Sequence, residues 1–64
     1  MDAQTKQIEK LLKRRWVTAM DALKHAQCFR LAARIHDLKA AGVEIHDRWV
    51  ETDSGKRVKA YRIL

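Results

Sequence analysis

Two helical patterns, residues 18–26 and 29–41, are separated by so little chain that the corner between them restricts the fold more than any other feature. That corner is Ala26-Gln27-Cys28. Connections between packed helices run to roughly two to eight residues, so a tripeptide leaves no slack and obliges the two helices to cross steeply. The flanking residues support the boundaries. Thr18 followed by Asp21 has the spacing of a capping box, with Asp in the usual place of Glu. Ala19, Ala22, Leu23 and Ala26 then form a small-residue inner face that permits close helix approach. In the next helix Cys28, Leu31, Ala32, Ile35 and Leu38 recur at helical spacing, and Gly42 follows where a left-handed C-terminal residue is needed.

The remaining segments complete one small α+β unit. Ile8, Leu11 and Leu12 make one apolar stripe in a helix over about 4–14, and the pair Trp16-Val17 reads as a short extended segment before Thr18. After Gly42 the period changes to two, which predicts a strand over about 43–51 with Val43, Ile45 and Trp49 inward and a bulge marked by Asp47. Thr52-Asp53-Ser54-Gly55-Lys56 has turn composition, and a second strand over about 57–63 closes a hairpin. With no proline, no internal repeat and no low-complexity stretch, residues 1–64 are read as a single domain.

Such a chain has room for one site, because its single core is marginal in size. One cysteine cannot staple it, and a lone thiol suits a reducing cytoplasm. Cys28 on the inner stripe has no activating base in sight, and His25, His36 and His46 follow no metal-ligand spacing, so neither an enzyme nor a metal site is expected. No cofactor is expected either, since there is no glycine-rich phosphate loop and no paired-carboxylate arrangement. No apolar run approaches a membrane span and the N-terminus lacks a signal-peptide core, which points to a soluble cytoplasmic protein. Charge is the positive clue. Fourteen Lys and Arg against eight Asp and Glu give a formal net charge of +6, a balance suited to polyanions. The excess is concentrated at Lys6, Lys10, Lys13, Arg14 and Arg15, and again at Lys56, Arg57, Lys59 and Arg62.

A steep helix pair on a basic chain is the arrangement of a helix-turn-helix, in which the second helix enters the major groove of double-stranded DNA. The C-terminal hairpin would then be a wing whose basic tip meets backbone phosphates. Here the chain resembles the small winged helix-turn-helix domains common in phages and prophages. The likeness rests on "TAMDALKHAQCFRLAARIHDLKAAGVEI": Thr18-Ala19, Ala22-Leu23, then Cys28, Arg30-Leu31-Ala32-Ala33-Arg34-Ile35, Leu38, and Gly42 with Ile45. Trp49-Val50, Gly55-Lys56-Arg57-Val58 and Tyr61-Arg62 extend it, so that it covers about residues 6–64. Two positions depart from the pattern: Gln27 stands where glycine is expected in the turn, and Lys24-His25-Ala26 is more polar than usual. The resemblance implies a winged fold and a regulatory DNA-binding role in a phage or mobile element.

Gln27, Arg30, Ala33 and Arg34 are accordingly the expected readers or positioners in the groove, with Arg34 alternatively pairing with Asp37 or Asp21. Lys56 and Arg57 are the expected phosphate contacts, with Lys59 a third, and Arg14 and Arg15 could widen the footprint. Thr18 and Ala19 offer helix N-terminal amides to a phosphate, although the Thr18 hydroxyl can instead cap its own helix. Trp16, Trp49 and Tyr61 are interleaved with basic residues, as in proteins that stack unpaired bases, but at inward positions they read as core. Phe29 faces outward and is open to three uses: packing under the turn, insertion at a DNA step, or a dimer contact. High specificity from so small a module would call for a homodimer or cooperative array. The competing function is a protein-interaction module that offers Phe29, Ala33 and Ala40 to a host or phage protein.

Overall fold

Local signals start and stop the helices. The computed structural model describes residues 3–64, with helices α1 (Ala3–Arg14), α2 (Ala19–Ala26) and α3 (Leu31–Ala40), then strands β1 (His46–Glu51) and β2 (Arg57–Arg62). The first two residues of the expected span 1–64 lie outside the described residues. The expected capping box forms in full: the Asp21 amide donates to Thr18 Oγ1 at 3.2 Å and the Thr18 amide donates to Asp21 Oδ2 at 3.1 Å. At the other end of α3, Gly42 takes φ +91°. Its amide donates to the Lys39 carbonyl and the Val43 amide to the Leu38 carbonyl, each at 3.0 Å, which is the hydrogen-bond pattern of a Schellman motif.

The corner between α2 and α3 is tight but longer than the tripeptide. Helix α3 begins at Leu31, two residues later than the expected start at Phe29, so Gln27 to Arg30 form the connection. The reason lies in the backbone. Gln27 adopts the left-handed conformation, φ 51° and ψ 36°, at the position where the resemblance led us to expect glycine. A side chain there costs on the order of 1–2 kcal/mol. Its amide still donates to the Leu23 carbonyl, and the Cys28 amide reaches back to Ala22, each at 3.1 Å. Cys28 is only 1% exposed and plugs the corner from below, packing as a small apolar side chain although it lies outside the helix.

One core lies beneath all three helices. Thr5, Ile8 and Leu12 of α1 meet Leu31, Ile35 and Leu38 of α3, with Ala22, Val17 and Cys28 closing the cluster. Full burial of each large apolar side chain stabilises by about 1.5–3 kcal/mol. Two inner-face expectations fail here. Ala19 and Leu23 of α2 are exposed, leaving Ala22 as its buried contact, and Ala32 of α3 is exposed as well. An eight-residue helix that caps one corner of the core meets it along a narrow line, through buried Ala22 and half-buried Ala26.

The sheet is antiparallel, in register from His46↔Arg62 to Glu51↔Arg57, and Asp47 pairs with Tyr61 without the expected bulge. Val17 adds a bridge on the far side of β2, exchanging hydrogen bonds of 2.8 and 2.9 Å with Tyr61, so the expected extended segment meets the two-stranded sheet through one residue. Strand β1 starts at His46, three residues later than expected, because its partner has run out. Beyond Arg62, the Ile63 amide turns to the Leu12 carbonyl at the end of α1, 3.0 Å away. Val43 and Ile45 still pack against the core, but as connection residues. At the hairpin tip Gly55, φ +84°, donates to the Thr52 carbonyl at 2.9 Å, and the Thr52 and Ser54 hydroxyls lie 3.0 Å apart.

Candidate nucleic-acid interface

The first turn of α3 and strand β2 face each other across an open groove. Phe29, Arg30 and Ala33 line one wall, Lys59 and Tyr61 the other, and Ala19 of α2 closes one end. A second cleft lies between the start of α2, at Thr18 and Met20, and the hairpin tip, at Thr52, Asp53 and Lys56. Ala19 and Val58 line both, so the two depressions adjoin and form one surface from α3 past α2 to the wing. This arrangement follows from the tight corner, which turns the start of α3 outward beside the start of α2.

Electrostatics divides the cations into two groups. Among the described residues Arg30, Lys56, Arg57 and Lys59 form no ion pair, whereas Lys13 pairs with Glu9 at 3.9 Å and Arg15 with Asp21 at 4.0 Å. Arg15 also lies 3.5 Å from Nε2 of His25, which draws it to the α1–α2 side of the molecule. Among the described residues the cations on the groove and the wing stand clear of carboxylates, as do Lys6, Lys10, Arg14, Lys24 and Lys39 elsewhere on the body. An anion that approached them would not have to displace a carboxylate.

Arg30 and Arg34, read from sequence as one flank, are drawn apart. Arg30 sits at the start of α3 and lines the groove. Arg34 is 24% exposed at its side chain and is held on the α1 side: Nη2 lies 3.1 Å from Asp37 Oδ2, and Nη1 donates to Gln4 Oε1 at 3.3 Å. The alternative pairing with Asp37 is therefore the one that forms, while Asp21 goes to Arg15. Gln4 also donates through Nε2 to the Gln27 carbonyl at 3.4 Å, so a single α1 side chain ties down both the corner and α3. Gln27 itself is exposed.

The two helix starts that face the surface differ in one chemical respect. Thr18 spends its hydroxyl on the Asp21 amide, so the N-terminus of α2 is capped from within. The N-terminus of α3 has no side-chain cap. Its first amides are free donors beside Arg30, a position where anions are favoured.

The aromatic residues separate in a way that alternation did not reveal. Tyr61 packs against the core as expected, and Trp16 is half-buried with the Arg48 guanidinium 4.3 Å from its ring centre. Trp49, expected inward, is 57% exposed. It lies opposite Lys59, with the Lys59 ammonium 5.2 Å and the Arg57 guanidinium 5.4 Å from its ring centre. The inward face of β1 continues past the edge of the body, so a residue can be inward by period and still meet solvent. Phe29, 84% exposed, stands at the mouth of the groove and does not pack under the turn.

A helix pair joined by a four-residue corner and followed by an antiparallel hairpin, whose tip adjoins the start of the first helix of that pair, defines a winged helix-turn-helix. The family described as "Winged helix-turn-helix domain" matches residues 3–63, and the chain belongs to that family. Comparison with curated proteins and with solved structures returns no match. Membership suggests binding to double-stranded DNA by a module that is typically not an enzyme. Among the described residues no helix is long and apolar enough to cross a membrane, and no group of three or more His, Cys, Asp or Glu could hold a metal ion.

Proposed function

We propose that residues 1–64 act as one DNA-binding domain, sequence-selective or architectural, serving as a regulator for a phage or mobile element in the bacterial cytoplasm. The observation that carries this reading is the continuous surface on which Arg30, Lys56 and Lys59 stand without ion-pair partners, with Arg57 next to Lys56 at the start of β2. Its mechanism is occupancy, with no bond made or broken. The uncapped start of α3 enters the major groove, where Arg30 reaches a base edge and Ala33 permits close approach or meets a thymine methyl group. Lys56 and Arg57 neutralise backbone phosphates, and Lys59 does the same from the groove wall. Thr18, Gln27 and Arg34 position these elements: Thr18 caps α2, Gln27 forms the corner, and Arg34 fastens α3 to α1. The molecule measures 34 × 21 × 19 Å, so its long axis spans about one helical turn of duplex. One copy therefore covers a half-site, and strong selectivity calls for a homodimer or a cooperative array.

Binding to a random duplex, measured by fluorescence anisotropy across a salt series, tests this directly. Neutralisation of roughly four to six phosphates gives a log–log slope of about −3.5 to −5.5. Binding that is absent, or indifferent to salt, overturns the proposal. That result would favour the second reading, a protein-interaction module, for which the exposed Phe29 beside Ala33 supplies an apolar contact.

A further inference from the structure

We propose that Trp49, with Arg57 and Lys59, is a stacking platform for an unpaired nucleobase, and that the chain binds a junction between duplex and single strand more tightly than continuous duplex. The inference deepens the DNA-binding reading and rests on it, because the groove beside α3 must hold the duplex arm.

The Trp49 indole is 57% exposed and makes no core contact, and the groups over its ring are two flexible basic side chains, Arg57 and Lys59. Trp49 lies on β1, the outer strand of the hairpin, and Val17 occupies the other side of β2. In an antiparallel ladder directly opposed residues share a face, so Trp49 shares one with Lys59, Glu51 and Arg57, Asp47 and Tyr61. Toward the body this face ends in Tyr61, packed on the core; farther out its aromatic surface is exposed. Trp16 offers less surface, because it is half-buried as well as covered by Arg48 at 4.3 Å.

The neighbours of Trp49 specify the ligand. Two cations within 5.4 Å of its ring centre both come from β2, while its same-face neighbours on β1 are the acids Asp47 and Glu51. A polyanionic strand is thus drawn along β2 and repelled from β1, and a base that stacks on the indole takes the place of the Lys59 and Arg57 side chains over the ring, leaving both cations to meet the flanking phosphates. Ring face plus flanking phosphates is the chemistry of a nucleotide. In continuous duplex each base face is covered by its neighbours. An unpaired or terminal base is the one that offers a free face to stack. Lys59 also lines the α3 groove, so the platform is contiguous with the surface assigned to duplex.

The test compares one sequence in three forms, blunt duplex, the same duplex with an unpaired tail, and the single strand, by anisotropy at fixed salt. The tailed duplex is expected to bind roughly tenfold tighter than the blunt one, as for one stacked base. Trp49→Ala should abolish that preference and Trp49→Phe should keep most of it, with thermal unfolding confirming that both variants fold. In a Trp16→Phe background the remaining tryptophan emission should be quenched by the tailed duplex and left nearly unchanged by the blunt one. Equal, salt-sensitive binding of tailed and blunt duplex overturns the platform and leaves the duplex reading intact. So does a preference that survives in Trp49→Ala. Tight binding of single strand and tail with no binding of blunt duplex supports the platform and overturns the duplex reading instead.

Discussion

The body and the wing of this molecule are stabilised by different physics. In the body, α1 and α3 bury Ile8, Leu12, Ile35 and Leu38 almost completely, and Arg34 between them is tied to Asp37 and Gln4. In the wing, β1 buries no residue and β2 buries only Ala60. Register, cross-strand pairs and the Thr52–Gly55 turn hold it, and its Lys and Arg side chains have no carboxylate partner among the described residues. Stability therefore resides in one region and affinity in the other, and the start of α3, with Leu31 in the core and Arg30 in the groove, is where they meet.

Substitutions can break this division or sharpen it. The largest effect belongs to the body: Leu12→Ala should cost about 2–5 kcal/mol, enough in a domain of this size to lower the thermal midpoint severely and abolish duplex binding with it. At the meeting point, Arg30→Ala should cost about 1–3 kcal/mol on a preferred site, measured by competition between selected and random duplexes, while the thermal midpoint stays put. A variant that still discriminates as the parent does would remove Arg30 from the base-reading role. Thr18→Ala should lower stability by about 1 kcal/mol through loss of the α2 cap, and should alter binding only as far as folding changes. In the wing, Lys56→Ala should weaken all duplexes alike, by less than about tenfold, and reduce the salt slope by about 1 without a change in melting. Should its melting fall as far as that of Leu12→Ala, wing and body would not be separable. The smallest effect is Gln27→Gly, expected to stabilise by about 0.5 kcal/mol, because relief of the left-handed side chain is partly offset by a more flexible unfolded chain.

Much of the fold was legible in the chain. The capping box at Thr18, the stop at Gly42 and the turn at Gly55 are local, and each depends on residues a few positions apart. The stripes of α1 and α3 were legible for the same reason, since period alone puts Ile8 with Leu12 and Leu31 with Ile35 and Leu38. Errors arose where a boundary depended on a distant partner. Strand β1 was drawn three residues too long because its length is limited by Ile63 leaving the ladder for Leu12. Trp49 was placed in the core because alternation reports a face of the sheet but not how far the body extends beneath it. The separation of Arg30 from Arg34 had one local sign, Asp37 three positions after Arg34, but its other anchor, Gln4, stands thirty positions before Arg34.

From the sequence alone came the three helices, the hairpin, the steep corner and the basic character, because cap chemistry, hydrophobic period and net charge are properties of neighbouring residues. Tertiary structure decided which cations stand free, where β1 begins and which tryptophan meets solvent. Those outcomes turn on which side chains come within about 4 Å across the fold, where a charge-assisted hydrogen bond or an apolar contact can form, and sequence spacing carries no record of that distance.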